Sequence, residues 1–120
     1  MSDSQFDLYV AKKFAAKAQN ARDRGLEFTI SFMSMKNMLK AQKCYYTGLP
    51  MTRQIGSVQR ASDITIDRID ASKGYIPGNV VACSYAANQL KSQVEAAGLA
   101  GLKMGARVFT RTIKRMEAAK

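Results

Sequence analysis

The chain has no histidine and no tryptophan, only two cysteines and two prolines, and nine acidic residues against nineteen lysines and arginines. The absence of histidine excludes every mechanism that needs an imidazole base, and every zinc site with imidazole ligands. Two cysteines, Cys44 and Cys83, are too few for a disulfide-stapled scaffold. No apolar run approaches the roughly 18 residues that a membrane-spanning helix needs. The first residues, MSDSQFDLYVAKKF, lack the apolar centre of a secretion signal, so a cytoplasmic location is expected.

What remains is a basic chain of 120 residues, 47% hydrophobic, with a formal charge of +10. That length predicts a single domain over 1–120, with enough apolar side chains for a modest core. A charge of this size attracts polyanions, of which nucleic acid is the commonest; membrane surfaces and acidic proteins are rivals. The charge is uneven. Between Leu8 and Arg60 the acidic residues are Asp23 and Glu27, in a stretch that holds Lys12, Lys13, Lys17, Arg22 and Arg24 near its start. The segment Ser62–Asp70 reverses the balance, with Asp63, Asp67 and Asp70 around Arg68. An acidic knot in a basic chain fits a site, and it equally fits aspartates that cap turns.

Periodicity predicts a helix over 5–24, with Phe6, Val10, Phe14, Ala18 and Ala21 on one face and Gly25 as its stop. Ser31 or Ser34 is suited to cap a second helix reaching about Gln42. A turn-rich stretch follows. Ile64–Ile69 alternates and then breaks phase, which predicts a strand with a possible bulge. A second strand is expected over 79–83, and a helix over 84–95 with Tyr85, Leu90 and Val94 roughly on one side. A last helix over 101–118 would turn Leu102, Phe109, Ile113 and Met116 inward. Its Lys103, Arg107, Arg111 and Lys114 form a basic stripe, either a solvated face or an edge that contacts phosphates. Gly74 and Gly78 are expected where the backbone needs a positive φ.

The segments Cys44-Tyr-Tyr-Thr-Gly-Leu-Pro50, Ile66-Asp-Arg-Ile-Asp70, Lys73-Gly-Tyr75, Gly78-Asn-Val-Val81 and Asn88-Gln-Leu-Lys91 follow one another in an informative order. In that order and spacing they resemble the HNH nucleases of the ββα-metal superfamily, most of all small phage-encoded members. The resemblance covers roughly residues 25–95. It implies an α+β fold, with a small ββα-metal core over about 44–95 and helical extensions over 5–42 and 101–118. It implies that Asp67 is a metal ligand and that Asn88 is the second. Arg68 stands where the family has the histidine that activates water, and Asn79 matches the asparagine that orients that histidine. Asp67 and Asn88 offer hard oxygen donors suited to Mg²⁺ or Mn²⁺.

Two departures from the family pattern matter. Arg68 stays charged and cannot take a proton from water, so the general base is missing. Cys44 has Thr47, and Cys83 has Ala86, where a zinc-binding pair would have a second cysteine. Two thiolates do not complete a tetrahedral site, so no structural zinc is expected, and no cofactor is required. The resulting expectation is a protein that binds RNA or DNA mainly through phosphates, on a degenerate HNH scaffold in a phage-infected bacterium. Its contacts would come from Arg68, Lys73, Lys91, Lys103, Arg107, Arg111 and Lys114. A Mg²⁺- or Mn²⁺-dependent endonuclease with another base is the alternative, which would use Asp67, Arg68, Asn79 and Asn88. A binder of an acidic protein is the third. Exposed tyrosines among Tyr45, Tyr46, Tyr75 and Tyr85 could stack on bases, and buried ones would be packing.

Overall fold

The computed structural model describes residues 1–119. Among the described residues the fold is α+β, with four helices and a two-stranded antiparallel sheet whose second strand runs directly into a helix. The chain forms two compact units, residues 1–87 and 88–120.

In the first unit, helix α1 (Asp3–Asp23) opens on Ser2, whose hydroxyl accepts the Gln5 N–H while the Gln5 side chain accepts the Ser2 N–H. This reciprocal cap satisfies two otherwise orphaned donors. Gly25, at φ +67°, ends the helix as expected, and the Leu26 N–H returns to the Ala21 carbonyl. Ser31 caps α2 (Phe32–Leu39), which is shorter than its apolar pattern implied.

Strands β1 (Ile64–Arg68) and β2 (Val80–Ser84) pair residue for residue, from Ile64 opposite Ser84 to Arg68 opposite Val80. The expected bulge is absent. The loss of alternation at Ile69 marks the end of the strand. Ile64, Ile66 and Ala82 join Val10, Ala21, Ile30, Met35 and Leu39 in the core. Phe14 meets Phe28 and Phe32 edge-on beside it. The connection between α1 and α2 pairs with the β1–β2 loop: the Tyr75 N–H donates to the Glu27 carbonyl at 2.8 Å, and the Thr29 N–H donates to the Tyr75 carbonyl at 2.9 Å. A Cβ at Gly74 would stand 2.4 Å from the Glu27 carbonyl oxygen. Gly74 is therefore required by this close approach, not by a positive φ. Gly78, at φ +85°, matches its expectation.

Helix α3 (Tyr85–Glu95) follows β2 directly, and the Ser84 hydroxyl accepts the Ala87 N–H at its start. In the second unit α4 (Gly98–Ala118) crosses α3 where Gly101 and Gly105 lie against Val94. The expectation that Phe109, Ile113 and Met116 point inward fails: they are 44%, 54% and 63% exposed. The reason is length. At 1.5 Å per residue α4 runs about 31 Å and α3 about 16 Å, so α3 cannot cover its C-terminal half. Leu90 of α3 is also exposed, at 50%.

Candidate functional site

The end of β1 and the loop after it hold the motif residues of the first unit. Asp67 and Arg68 are consecutive, so their side chains leave opposite faces of the strand. Both are buried, at 9% and 8% exposure. Burial of charge without partners is costly, so the partners define the site.

Arg68 turns toward the core side. Its guanidinium lies over the Tyr75 ring at 5.5 Å, and Nη1 donates to the carbonyls of Ala71 at 2.7 Å and Lys73 at 2.9 Å. Arg68 thus closes the loop that follows it. Asn79, just before β2, closes the same loop from its other end. Its Nδ2 donates to the Asp70 carbonyl at 3.1 Å and the Gly74 carbonyl at 2.9 Å, and its Oδ1 accepts the Asp70 N–H at 2.9 Å. The Asp70 carboxylate accepts from the N–H and hydroxyl of Ser72, a local turn. Lys73 is exposed on this loop.

Asp67 faces the other way, and its Oδ2 accepts the Tyr46 hydroxyl at 2.7 Å. Tyr46 comes from the turn Cys44–Gly48, closed by the Gly48 N–H on the Cys44 carbonyl. The Tyr45 N–H pins this turn to β2 through the Ala82 carbonyl. Burial alone would raise the Cys44 thiol. The Thr47 hydroxyl and the N–H groups of Ser84, Thr47 and Tyr46 outweigh that effect and lower it to about 7. Cys44 and Cys83 are both buried and unbridged. The side chain of Thr47 therefore meets this sulfur where the family pattern would have a second cysteine. No cluster of three or more His, Cys, Asp or Glu that could hold a metal occurs among the described residues.

Two contributors to this region were not read from the sequence. The sequence offers Tyr46 only as a stacking or packing residue, and its bond to Asp67 spans 21 positions, beyond any local pattern. Lys17 of α1 is the other. Burial holds its ammonium below the usual range; Asp67 and Cys83 draw it upward, while Arg24 and Arg68 push it down. It is therefore a half-buried cation within electrostatic reach of the motif strand.

The three aspartates of the acidic knot separate into different tasks. Asp67 meets Tyr46, and Asp70 makes a turn. Asp63, fully buried, accepts the Thr52 hydroxyl at 2.6 Å, the Arg60 N–H at 2.8 Å and Arg60 Nη2 at 3.1 Å. The hydroxyl of Thr52 is the largest of the effects on its carboxyl, and despite the opposing effect of burial the carboxyl is held below its ordinary range.

The remaining expected residues lie in the second unit. Asn88 and Lys91 are half-buried on α3, where Lys91 pairs with Glu95. Lys103, Arg107, Arg111 and Lys114 are all exposed on α4. Of the tyrosines considered for stacking, Tyr75 is buried core and Tyr45 is 61% exposed.

No family model matches the chain. It is 32% identical over 73 residues to an uncharacterized 29.0 kDa protein in the dda-modA intergenic region of Enterobacteria phage T4. That match takes in 61% of this chain and 28% of the phage protein, so the chain spans little more than a quarter of its relative. Its fold is similar to that of the rare-cutting HNH restriction endonuclease PacI, described for its DNA perturbation. The TM-score is 0.56, with 17% identity, over 86% of this chain and 81% of that one. The scaffold is thus HNH-like. No helix among the described residues is long and apolar enough to cross a membrane.

Proposed function

We propose that this chain is a basic nucleic-acid-binding protein on an HNH-nuclease-like scaffold that has lost its general base. The observation that carries this reading is Arg68. By the family pattern it stands where the base would be, as a permanent cation, and its Nη1 is committed to two loop carbonyls. The charge of +10, the phage relative and the HNH-like fold support a protein that holds polyanions in a phage-infected cell. Binding would run mainly through phosphates, from Lys73 and the exposed α4 stripe, with Lys91 supporting it from its pair with Glu95 and Arg68 through the loop it holds.

A second reading, metal-dependent cleavage, is favoured by one observation. Asp67 presents a carboxylate on β1 with Tyr46 fixing one oxygen. Asp67 and Asn88 are the residues that would hold Mg²⁺ or Mn²⁺, since both offer hard oxygens. Such an ion, when bound, would neutralise charge on a phosphate.

One experiment separates these readings. Purified protein is incubated with plasmid DNA and with RNA, with Mg²⁺, Mn²⁺ or chelator, and scored for gel shift and for cleavage. The proposal expects a shift without cleavage. It also expects log K to fall linearly with log salt as phosphates release counterions. Reversal of charge at Lys103, Arg107, Arg111 and Lys114 should weaken all sequences about equally. Robust Mg²⁺-dependent cleavage that Asp67→Ala or Asn88→Ala abolishes would establish the endonuclease instead. Absence of binding to any nucleic acid at low salt would leave the acidic protein partner.

A further inference from the structure

Residues 53–60 form a small hairpin in the first unit. Ile55 and Val58 are bridged antiparallel across a two-residue turn, with Gly56 at φ +67°. Paired residues of an antiparallel ladder project from the same face. Ile55 and Val58 therefore make one aliphatic ridge at the tip, and they are 77% and 69% exposed. Large aliphatic side chains at a turn tip gain nothing from solvent, and this pair adds nothing to the core.

The hairpin beneath the ridge is built to be stiff. Arg60 Nη2 crosses the base of the loop to the Arg53 carbonyl at 2.8 Å and also reaches Asp63 Oδ1. Buried Asp63 holds the Arg60 N–H and the Thr52 hydroxyl, and the Thr52 carbonyl accepts the Ile64 N–H of β1. The Arg53 guanidinium is 5.0 Å from the ring centres of both Phe6 and Tyr9. The Gln54 amide donates to the Gly56 carbonyl within the turn. A loop held at its base by a buried carboxylate and two arginines presents its tip without further ordering.

The legs of the hairpin border two basic grooves. Arg53 and Thr52 line one of about 260 Å³ together with Lys40 and Gln42. Gln59 lines another of about 160 Å³ together with Lys13, Lys17 and Thr65. The two grooves share Leu39 and Ile64, and their cations suit phosphates beside the hairpin.

We propose that the Ile55–Val58 ridge is a wedge that enters a groove of duplex DNA and partly separates a base step, while the lysines of the flanking grooves hold the backbone. Aliphatic side chains inserted between base steps unstack them and kink the duplex. Strands and β-ribbons enter either groove of B-form DNA, whereas the major groove of an RNA helix is too deep and narrow for them. A protein occupant fits less well: two side chains supply only a small part of the roughly 800 Å² per partner that a stable protein interface buries. The inference rests on the nucleic-acid-binding reading above and adds where, and how, the duplex is deformed.

The test uses the full chain and a set of DNA duplexes, each with 2-aminopurine at one step, whose fluorescence rises on unstacking. The variants are Ile55→Ser with Val58→Ser, and the apolar replacement Ile55→Leu with Val58→Ile. Wild type should raise the fluorescence of at least one duplex, and the RNA duplex of the same sequence should not respond. The double serine variant should keep its thermal stability and its salt slope. Its low-salt affinity should stay within about threefold, as for surface changes away from phosphate contacts. It should lose the fluorescence gain, and the Leu/Ile variant should restore it. Wild type that binds DNA without any fluorescence change overturns the wedge and leaves the binding reading intact. Wild type that binds no DNA overturns the binding reading, and the wedge with it. Self-association in sedimentation that the double serine variant abolishes would assign the ridge to a second copy of the chain and also overturn the wedge.

Discussion

The Tyr46 hydroxyl donates to Asp67 Oδ2 at 2.7 Å, joining the Cys44–Gly48 turn to the motif strand. The bond fixes one carboxylate oxygen and the rotamer of a buried acid. A hydrogen bond to a carboxylate that holds a metal orients it and tunes its donor strength. If Asp67 takes a divalent ion, Tyr46→Phe should weaken Mn²⁺ binding by about 10–100-fold while the fold is retained. Titration calorimetry or the electron paramagnetic resonance of free Mn²⁺ measures this. Equal Mn²⁺ affinity for wild type, Tyr46→Phe and Asp67→Ala would exclude Asp67 as a ligand.

Arg68 and Asn79 close the β1–β2 loop by separate hydrogen bonds, to Ala71 and Lys73 on one side and to Asp70 and Gly74 on the other. Removal of either side chain leaves partly buried carbonyls without their donors. Arg68→Ala and Asn79→Ala should each cost about 2–4 kcal/mol in urea unfolding. Arg68→Lys should recover only part, because an ammonium lacks the planar fork that spans two carbonyls. Near-wild-type stability of both alanine variants would show that the loop does not depend on them.

The order of elements was legible in the sequence because caps and motif residues are local signals. Ser31, Gly25 and the succession Asp67–Arg68, Asn79, Asn88 placed the two strands and the helix after them. Much of the site was not legible, because its contacts join distant positions. Tyr46 reaches Asp67, Asp63 organises residues 52–60, and Gly74 is demanded by the Glu27 backbone. The Asp67–Asn88 metal pair stays a proposal drawn from the family pattern. On α4 the apolar periodicity was real, but periodicity says only which residues share a face. It does not say whether a neighbour is long enough to cover that face.

Asp63 predicts the acid limb of the stability curve. Its folded-state carboxyl lies below its ordinary value of 3.8, first because of the Thr52 hydroxyl. A group lowered in the folded state adds stability that is fully present above its unfolded value and is lost as pH falls through the folded one. Thermal stability should therefore fall below about pH 4, and more steeply in wild type than in Asp63→Asn. Parallel melting curves for the two proteins between pH 2 and 6, on the same scale, would contradict this assignment.

Cys44 predicts a second pH effect at the other end of the scale. Its thiol lies at about 7 in the folded chain against 9.0 as an ordinary thiol. Its contribution is complete above the higher value and disappears as pH falls through the lower one. Wild type should gain stability relative to Cys44→Ala as pH rises from 7 to 9. A constant difference in melting temperature across that window would show that the Thr47 hydroxyl and the N–H groups do not stabilise a thiolate.

Arg68→His tests whether a base at this position confers cleavage. A histidine there would supply a group that can accept a proton near neutral pH, and a positioned base is worth about 10²–10⁴-fold. The substitution also removes the bonds to Ala71 and Lys73, so the loop should loosen. The Asn79 amide is already bonded to Asp70 and Gly74, which leaves it limited capacity to orient a new ring. The expected outcome is slow nicking of supercoiled plasmid with Mg²⁺ or Mn²⁺, below the full gain of a positioned base. It should rise with pH through about 6.5, the ordinary range of histidine. Addition of Asp67→Ala should abolish it. If the histidine variant folds, binds DNA and never nicks, the missing base is not the sole deficiency. If wild type nicks as fast as the variant, another residue supplies the base, and the endonuclease reading replaces the binding one.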